Sequence, residues 1–141
     1  MRAGRILGIA VVAYLALVVT VESLVAFMGA RHAGRGLDPE EDWVLLTTVS
    51  ADGARKDTVI AGVESQGQLY VAANHWLRGW YRRAVANPDV EVVREGRKLT
   101  CSAVPVSGAE RDQIAGEYRL PFALRLLTGF PPRSFLRLDC H

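Results

Sequence analysis

Arg78, Arg82 and Arg83 fall within one short stretch, and a guanidinium offers a planar fork of N–H donors that suits phosphate or carboxylate. Arginines opposite an apolar stripe also read as a solvated face, and the two readings stand evenly. Arg55 and Lys56 form a second basic pair, in a loop that Asp52 and Asp57 partly neutralise. His75 stands at a turn into a helix, where an imidazole can donate to an oxygen that gains charge, or simply face water. Tyr118 carries a phenol able to hydrogen-bond or protonate a reduced acceptor, although a tyrosine near a helix end more often packs. Trp76, Trp80 and Tyr81 could shield a ring from water, yet their helical spacing marks two of the three as core. Cys101 and Cys140 match no metal spacing and make no disulfide framework, so no metal site and a reducing compartment are expected.

These residues need elements to hold them. Residues 43–50 (WVLLTTVS) are β-branched and apolar, and Asp52-Gly53 after them signals a hairpin returning over residues 56–63. Gln66-Gly67 turns the chain again into residues 68–73, completing an antiparallel meander. The period then changes to helical over residues 76–86, until Asn87-Pro88 stops it. Residues 90–94 and 97–106 form a hairpin across Glu95-Gly96. Ser107 with Glu110 reads as a capping box opening a helix to about Tyr118. Residues 122–128 read as a short helix and 134–138 as a last strand. Six short strands with local antiparallel connections suit a small, partly closed barrel.

Before this domain, residues 6–29 form an apolar run about 36 Å long as a helix, enough to cross the ~30 Å hydrocarbon core. No A-x-A cleavage site follows it, so it reads as an uncleaved anchor. Glu22 would lie within a turn of the far interface and snorkel to water; a polar contact to another membrane helix, or a role at a quinone headgroup, is the other reading. Arg2 and Arg5 flank one end, and Arg31, His32 and Arg35 the other, so the charge rule leaves orientation tied. A net charge of +2 gives no argument for nucleic acid as a partner.

Leu45-Leu46-Thr47-Thr48, Leu69-Tyr70-Val71-Ala72-Ala73-Asn74, Trp80-Tyr81, Ala86-Asn87-Pro88-Asp89-Val90 and Gly108-Ala109-Glu110-Arg111 together resemble the deazaflavin-dependent nitroreductase and quinone reductase family. The resemblance covers about residues 43–138. It implies a split β-barrel related to the FMN-binding pyridoxamine-phosphate oxidases, and a hydride passed from reduced coenzyme F-420 to quinones or nitro compounds. It implies cofactor contacts at Arg55 and Lys56 in the first hairpin and at Asn74, His75, Arg78, Trp80, Tyr81 and Arg82 after the third strand. It also implies catalytic roles for Tyr118 and His75. Two stretches depart from the family pattern. The loop Ser50-Ala51-Asp52-Gly53-Ala54-Arg55-Lys56 lacks the usual basic, small, glycine run, and the turn after Asn74 is shortened.

The expected fold is α+β: a single N-terminal transmembrane helix, then a six-stranded split β-barrel of the FMN-binding kind with two to three helices. The expected organisation is an anchor over residues 1–30, a linker over 31–42 and the barrel over 43–141. The expected function is a membrane-anchored oxidoreductase using F-420, with FMN as the alternative cofactor, and a quinone such as menaquinone, or a nitro compound, as acceptor. The competing reading is a cofactor-free accessory subunit bound to other membrane-complex subunits through the helix. A homodimer is a further expectation of the resemblance. A cytoplasmic donor would place the barrel inside a single-pass cell-membrane protein in contact with lipid.

Overall fold

The computed structural model describes residues 2–33, 43–74 and 79–141. Its first element, α1 (Arg2–Ala33), contains the apolar stretch Gly4–Met28, long enough and apolar enough to cross a membrane. Inside that stretch the hydroxyls of Thr20 and Ser23 donate to the carbonyls of Ala16 and Val19, each at 2.8 Å, so neither is left bare among aliphatic side chains. Along one face, Tyr14, Val18, Val21, Glu22 and Val25 are less exposed than their neighbours, and α1 packs there against the barrel. Glu22 is thus half-buried on the side turned to the domain.

The barrel strands are β1 (Trp43–Val49), β2 (Arg55–Ser65), β3 (Gln68–Ala73), β4 (Asp89–Arg94), β5 (Arg97–Pro105) and β6 (Ser134–Cys140). All pairings are antiparallel, and the order β1-β2-β3-β6-β5-β4 closes when β4 pairs with β1. Alternation along the strands sends Val44, Leu46, Ile60, Val71, Val92, Ala103, Leu136 and Leu138 into one buried cluster. Each valine, leucine or isoleucine among them contributes about 1.5–3 kcal/mol by leaving water. A second buried cluster joins Tyr70, Val106, Ile114 and Phe135, with Ala115 and Tyr118 partly buried against it. Three helices complete the domain: α2 (Gly79–Ala86), α3 (Gly108–Glu117) and α4 (Phe122–Leu127).

The two ends of the barrel differ. At one end the connections are two-residue turns, Gln66-Gly67 and Glu95-Gly96, with both residues of each in the left-handed region, as tight hairpins require. Since β1, β3 and β5 run one way and β2, β4 and β6 the other, every long connection emerges at the opposite end. That end carries the β1–β2 loop, α2, α3 and α4.

Two sequence expectations are corrected. Cys101 and Cys140 form a disulfide. The spacing of 39 residues gave no sign of it, because the pairing depends on register: β5 and β6 set the two residues directly opposite each other. The amide of His141 donates to the carbonyl of Thr100 at 3.1 Å, which leaves Cys101 and Cys140 as a non-hydrogen-bonded pair, where side chains lie closest. The second correction concerns Ser107. It takes the N-cap position of α3 but makes no side-chain cap bond. Glu110 turns away to accept from Tyr70 and Arg137, both at 3.0 Å, because an ion pair and a phenol outbid one exposed backbone amide.

Candidate functional site

The described candidate residues all stand at the end of the barrel with the long connections. There they form two groups. The first is built on the β1–β2 loop and α2. The loop closes on itself through Gly53 N–H to the Ser50 carbonyl at 2.9 Å and Ala54 N–H to Asp52 Oδ1 at 3.2 Å. Thr48, the buried next-to-last residue of β1, ties this loop to α2: its hydroxyl accepts from Arg83 Nε at 2.9 Å and donates to the Lys56 carbonyl at 3.3 Å. Arg83 is therefore a bridge and not a solvated arginine. Arg82, one residue earlier on α2, is exposed, as is the Lys56 side chain.

Arg55 does not stand free. Its guanidinium pairs with Glu91 of β4, and Lys98 Nζ reaches the same carboxylate at 2.6 Å. Hydrogen bonds from Arg55 first and Lys98 second hold the Glu91 carboxyl down to about 2. Asp57 is occupied as well, accepting from the Thr47 hydroxyl at 2.6 Å. Among the described residues, the positive charge left for a ligand at this corner is carried by Arg82 and Lys56, with Arg55 shared.

Trp80 is 4% exposed and enters the barrel cluster with Ala84, so α2 plugs this end of the barrel with its indole. Tyr81 meets Trp80 edge to face at 5.8 Å between ring centroids and is half-buried. Trp80 is a core residue in this position, and Tyr81 is the ring that retains a solvent-facing surface. His75 and Arg78, together with Trp76, lie outside the described residues.

The second group joins Asn74 to Tyr118 through a residue the sequence did not single out. Arg133, just before β6, donates from Nε to Asn74 Oδ1 at 3.1 Å, from Nη1 to the Ala115 carbonyl at 3.4 Å, and from Nη2 to the Tyr118 carbonyl. Its guanidinium also sits 5.5 Å from the Tyr118 ring centroid and 5.1 Å from that of Phe135. Burial lowers the Arg133 pKa from its ordinary value. The end of β3, the end of α3 and the start of β6 are thereby locked together around one side chain. Arg111 adds a donor at 3.4 Å to the Arg133 carbonyl. The signal that could have exposed Arg133 was its place between the Pro131-Pro132 breaker and the last strand, where an arginine belongs to neither a helix face nor a strand alternation.

This end therefore offers cations for an acidic ligand, a half-exposed aromatic ring, and an amide and a phenol held in fixed relation. Among the described residues, no group of three His, Cys, Asp or Glu side chains could hold a metal ion. Positioning and charge are what the site supplies, and redox chemistry on a bound coenzyme needs little more from the protein.

Comparison with known proteins gives a family. No curated protein matches the chain. Among solved structures, an F420-H2 dependent reductase (FDR-A) is 23% identical, with a TM-score of 0.56, over 74% of this chain and 100% of that one. A domain-swapped dimer is 20% identical, with a TM-score of 0.60, over 85% of this chain and 96% of that one. A pyridoxamine 5'-phosphate oxidase-related, FMN-binding protein from Nostoc punctiforme is 16% identical, with a TM-score of 0.51, over 70% and 71%. At these identities the shared property is the fold, an antiparallel split barrel. A family profile described as F420H(2)-dependent quinone reductase matches residues 20–122, which takes in the second half of α1, β1 to β5, α2 and α3. The chain belongs to the F420H(2)-dependent quinone reductase family and is an oxidoreductase of the F420-dependent kind.

Proposed function

We propose that the chain is a membrane-anchored reductase that draws reducing equivalents from F-420 and delivers them to a quinone-class acceptor dissolved in the bilayer. The observation that carries this reading is the clustering of the described candidate residues at one end of the barrel, in the same connections that hold α4 against α1. Tyr118 stands four residues before Phe122, so the phenol and the apolar helix adjoin in sequence. The donor set fits the coenzyme's acidic tail: Arg82 and Lys56 are exposed cations on adjoining elements, and Arg55 borders them. When bound, F-420 supplies the hydride. The protein's own residues then have three tasks in this reading. Arg82 and Lys56, with Arg78, hold the anionic tail. Asn74 and Tyr81 border the ring. Tyr118 and His75 hold or deliver the proton that a reduced acceptor needs.

The anchor is α1, crossing the membrane once with the segment between α1 and β1 and the barrel on the side of the donor, the cytoplasm. A homodimer belongs to the same reading, supported by a similar fold in a domain-swapped dimer. One observation favours the competing reading, a cofactor-free accessory subunit: Arg55 is already neutralised by Glu91. Another bears on the side of the membrane, since disulfides such as Cys101–Cys140 persist outside reducing compartments.

Titration of the purified full chain with F-420, and separately with FMN, followed by fluorescence, tests the enzyme reading. Saturable F-420 binding with reduction of a menaquinone analogue supports it. No binding of either coenzyme at tens of micromolar refutes it and leaves the accessory subunit. Labelling intact cells with a membrane-impermeant maleimide after mild reduction settles the side: labelled Cys140 would overturn the cytoplasmic orientation.

A further inference from the structure

The helix α4 reads Phe-Ala-Leu-Arg-Leu-Leu, and not one of its residues is buried in the domain. A globular fold gives no reason to build a helix from aliphatic and aromatic side chains and leave every one of them more than a third exposed. Phe122 is 69% exposed, and Phe130, just beyond the helix, is 42% exposed. Their rings lie 5.7 Å apart and form an outward wedge, with Arg125 stacked 5.5 Å from the Phe130 centroid. Thr128, buried at the base of the wedge, fixes it by donating to the carbonyls of Leu124 at 2.9 Å and Arg125 at 3.3 Å.

This patch is continuous with α1. Tyr14 donates its phenol to the Leu126 carbonyl at 2.9 Å, and the two helices touch. Tyr14 lies within the apolar stretch Gly4–Met28 and not at a charged end. The part of α1 that the barrel leaves uncovered and α4 therefore form one continuous apolar surface. Charge agrees. Arg119 and Arg125, both exposed, flank the apolar wedge with no acidic residue from Arg119 to Arg137, which suits anionic headgroups, while Arg133 and Arg137 are engaged within the domain.

We infer that α4 and the Phe130 turn are a second membrane-contacting element, inserted into the acyl-chain layer beside α1, so that the barrel rests on lipid at the end where Tyr118 stands. This rests on the anchoring role of α1 proposed above. Its occupant is the bilayer, and a second copy of the chain covering the same wedge is the outcome that would refute it.

The test uses the full chain reconstituted in vesicles of phosphatidylcholine and phosphatidylglycerol, with Phe130→Trp as reporter and the wild-type chain, with its own Trp43, Trp76 and Trp80, as baseline. Carbonate extraction first reports whether α1 holds the chain in the membrane. The added emission is expected to shift to the blue and to be lost when the acyl chains carry bromine. Emission that bromine leaves unchanged and that aqueous acrylamide removes, in a chain that resists carbonate, overturns the α4 inference while leaving the anchor intact. Shielding that depends on protein concentration and not on brominated lipid assigns the wedge to a second copy and overturns it equally. Release by carbonate overturns the anchor and this inference together. Phe122→Trp repeats the measurement from the other side of the wedge should the first variant fail to fold.

Discussion

Replacing Arg133 with methionine should unfasten the site without emptying the core. Methionine keeps an unbranched apolar stem but removes every donor. The losses are the bond to Asn74 Oδ1 at 3.1 Å, the short bond to the Tyr118 carbonyl, and a weaker contact to the Ala115 carbonyl at 3.4 Å. A bond from a charged donor contributes about 1.5–3 kcal/mol net when buried. Arg133 is only half-buried, so the two good bonds are discounted to about 1 kcal/mol each. Stacking near Tyr118 and Phe135 adds about 0.5 kcal/mol per ring at an exposed site. The sum is about 3 kcal/mol, of which methionine packing restores part, leaving a loss of about 2 kcal/mol. For a domain of this size that lowers Tm by about 8 °C. The assay is thermal unfolding of the detergent-solubilised chain, followed by tryptophan emission, alongside F-420 titration. Arg133→Lys keeps the charge without the fork and should fall between the two. A methionine variant that melts with the wild type, or a lysine variant indistinguishable from it, would show that the fork does not hold Asn74 to Tyr118.

Three further outcomes are expected. Reducing the Cys101–Cys140 bridge, whose sequence separation is 39, removes up to about 4 kcal/mol in the chain-entropy account, read as a lower urea midpoint with reductant present; equal midpoints would show the bridge adds nothing. The Glu91 carboxyl, held down to about 2 from 4.5, stabilises the fold above about pH 4.5, and that stability is lost as pH falls toward 2. Glu91→Gln should flatten this acid dependence and, by releasing Arg55 and Lys98, tighten F-420 binding at low salt; weaker binding would place the acidic tail elsewhere. Tyr118→Phe should lower kcat with the quinone analogue by about 100-fold, the lower range for a positioned proton donor, with F-420 affinity unchanged. An unchanged kcat would remove Tyr118 from the chemistry.

The strands were legible because their signals are local. Val and Thr runs bounded by Asp52-Gly53, Gln66-Gly67 and Glu95-Gly96 give every strand from β1 to β5 to within two residues at either end. The closure was not local. Neither β4 beside β1 nor β6 between β3 and β5 leaves a mark in a sequence window, and the disulfide was hidden for that reason. The site was half legible. The family resemblance drew attention to Arg55, Asn74 and Tyr118 as candidates, but the partner that joins two of them, Arg133, looks like a surface arginine until β3, α3 and β6 are brought together. Glu91, which claims Arg55, reads as the polar member of an alternating strand. Charge competition across a barrel is a tertiary property, visible only once register fixes which side chains share a face.

The placement of β6 also governs how the molecule can be made. It is last of the six strands in sequence, yet it alone bridges β3 to β5, so ribosomal synthesis leaves both edges unpaired until residues 134–140 have emerged. By then α1 has long left the ribosome and is free to engage lipid or the insertion machinery. With α1 as the proposed anchor, membrane commitment would precede barrel closure in this order of events. The interval exposes two apolar strand edges of a kind prone to associate with other chains. A nascent chain held at the bilayer by α1 would meet fewer such partners than one released into the cytosol.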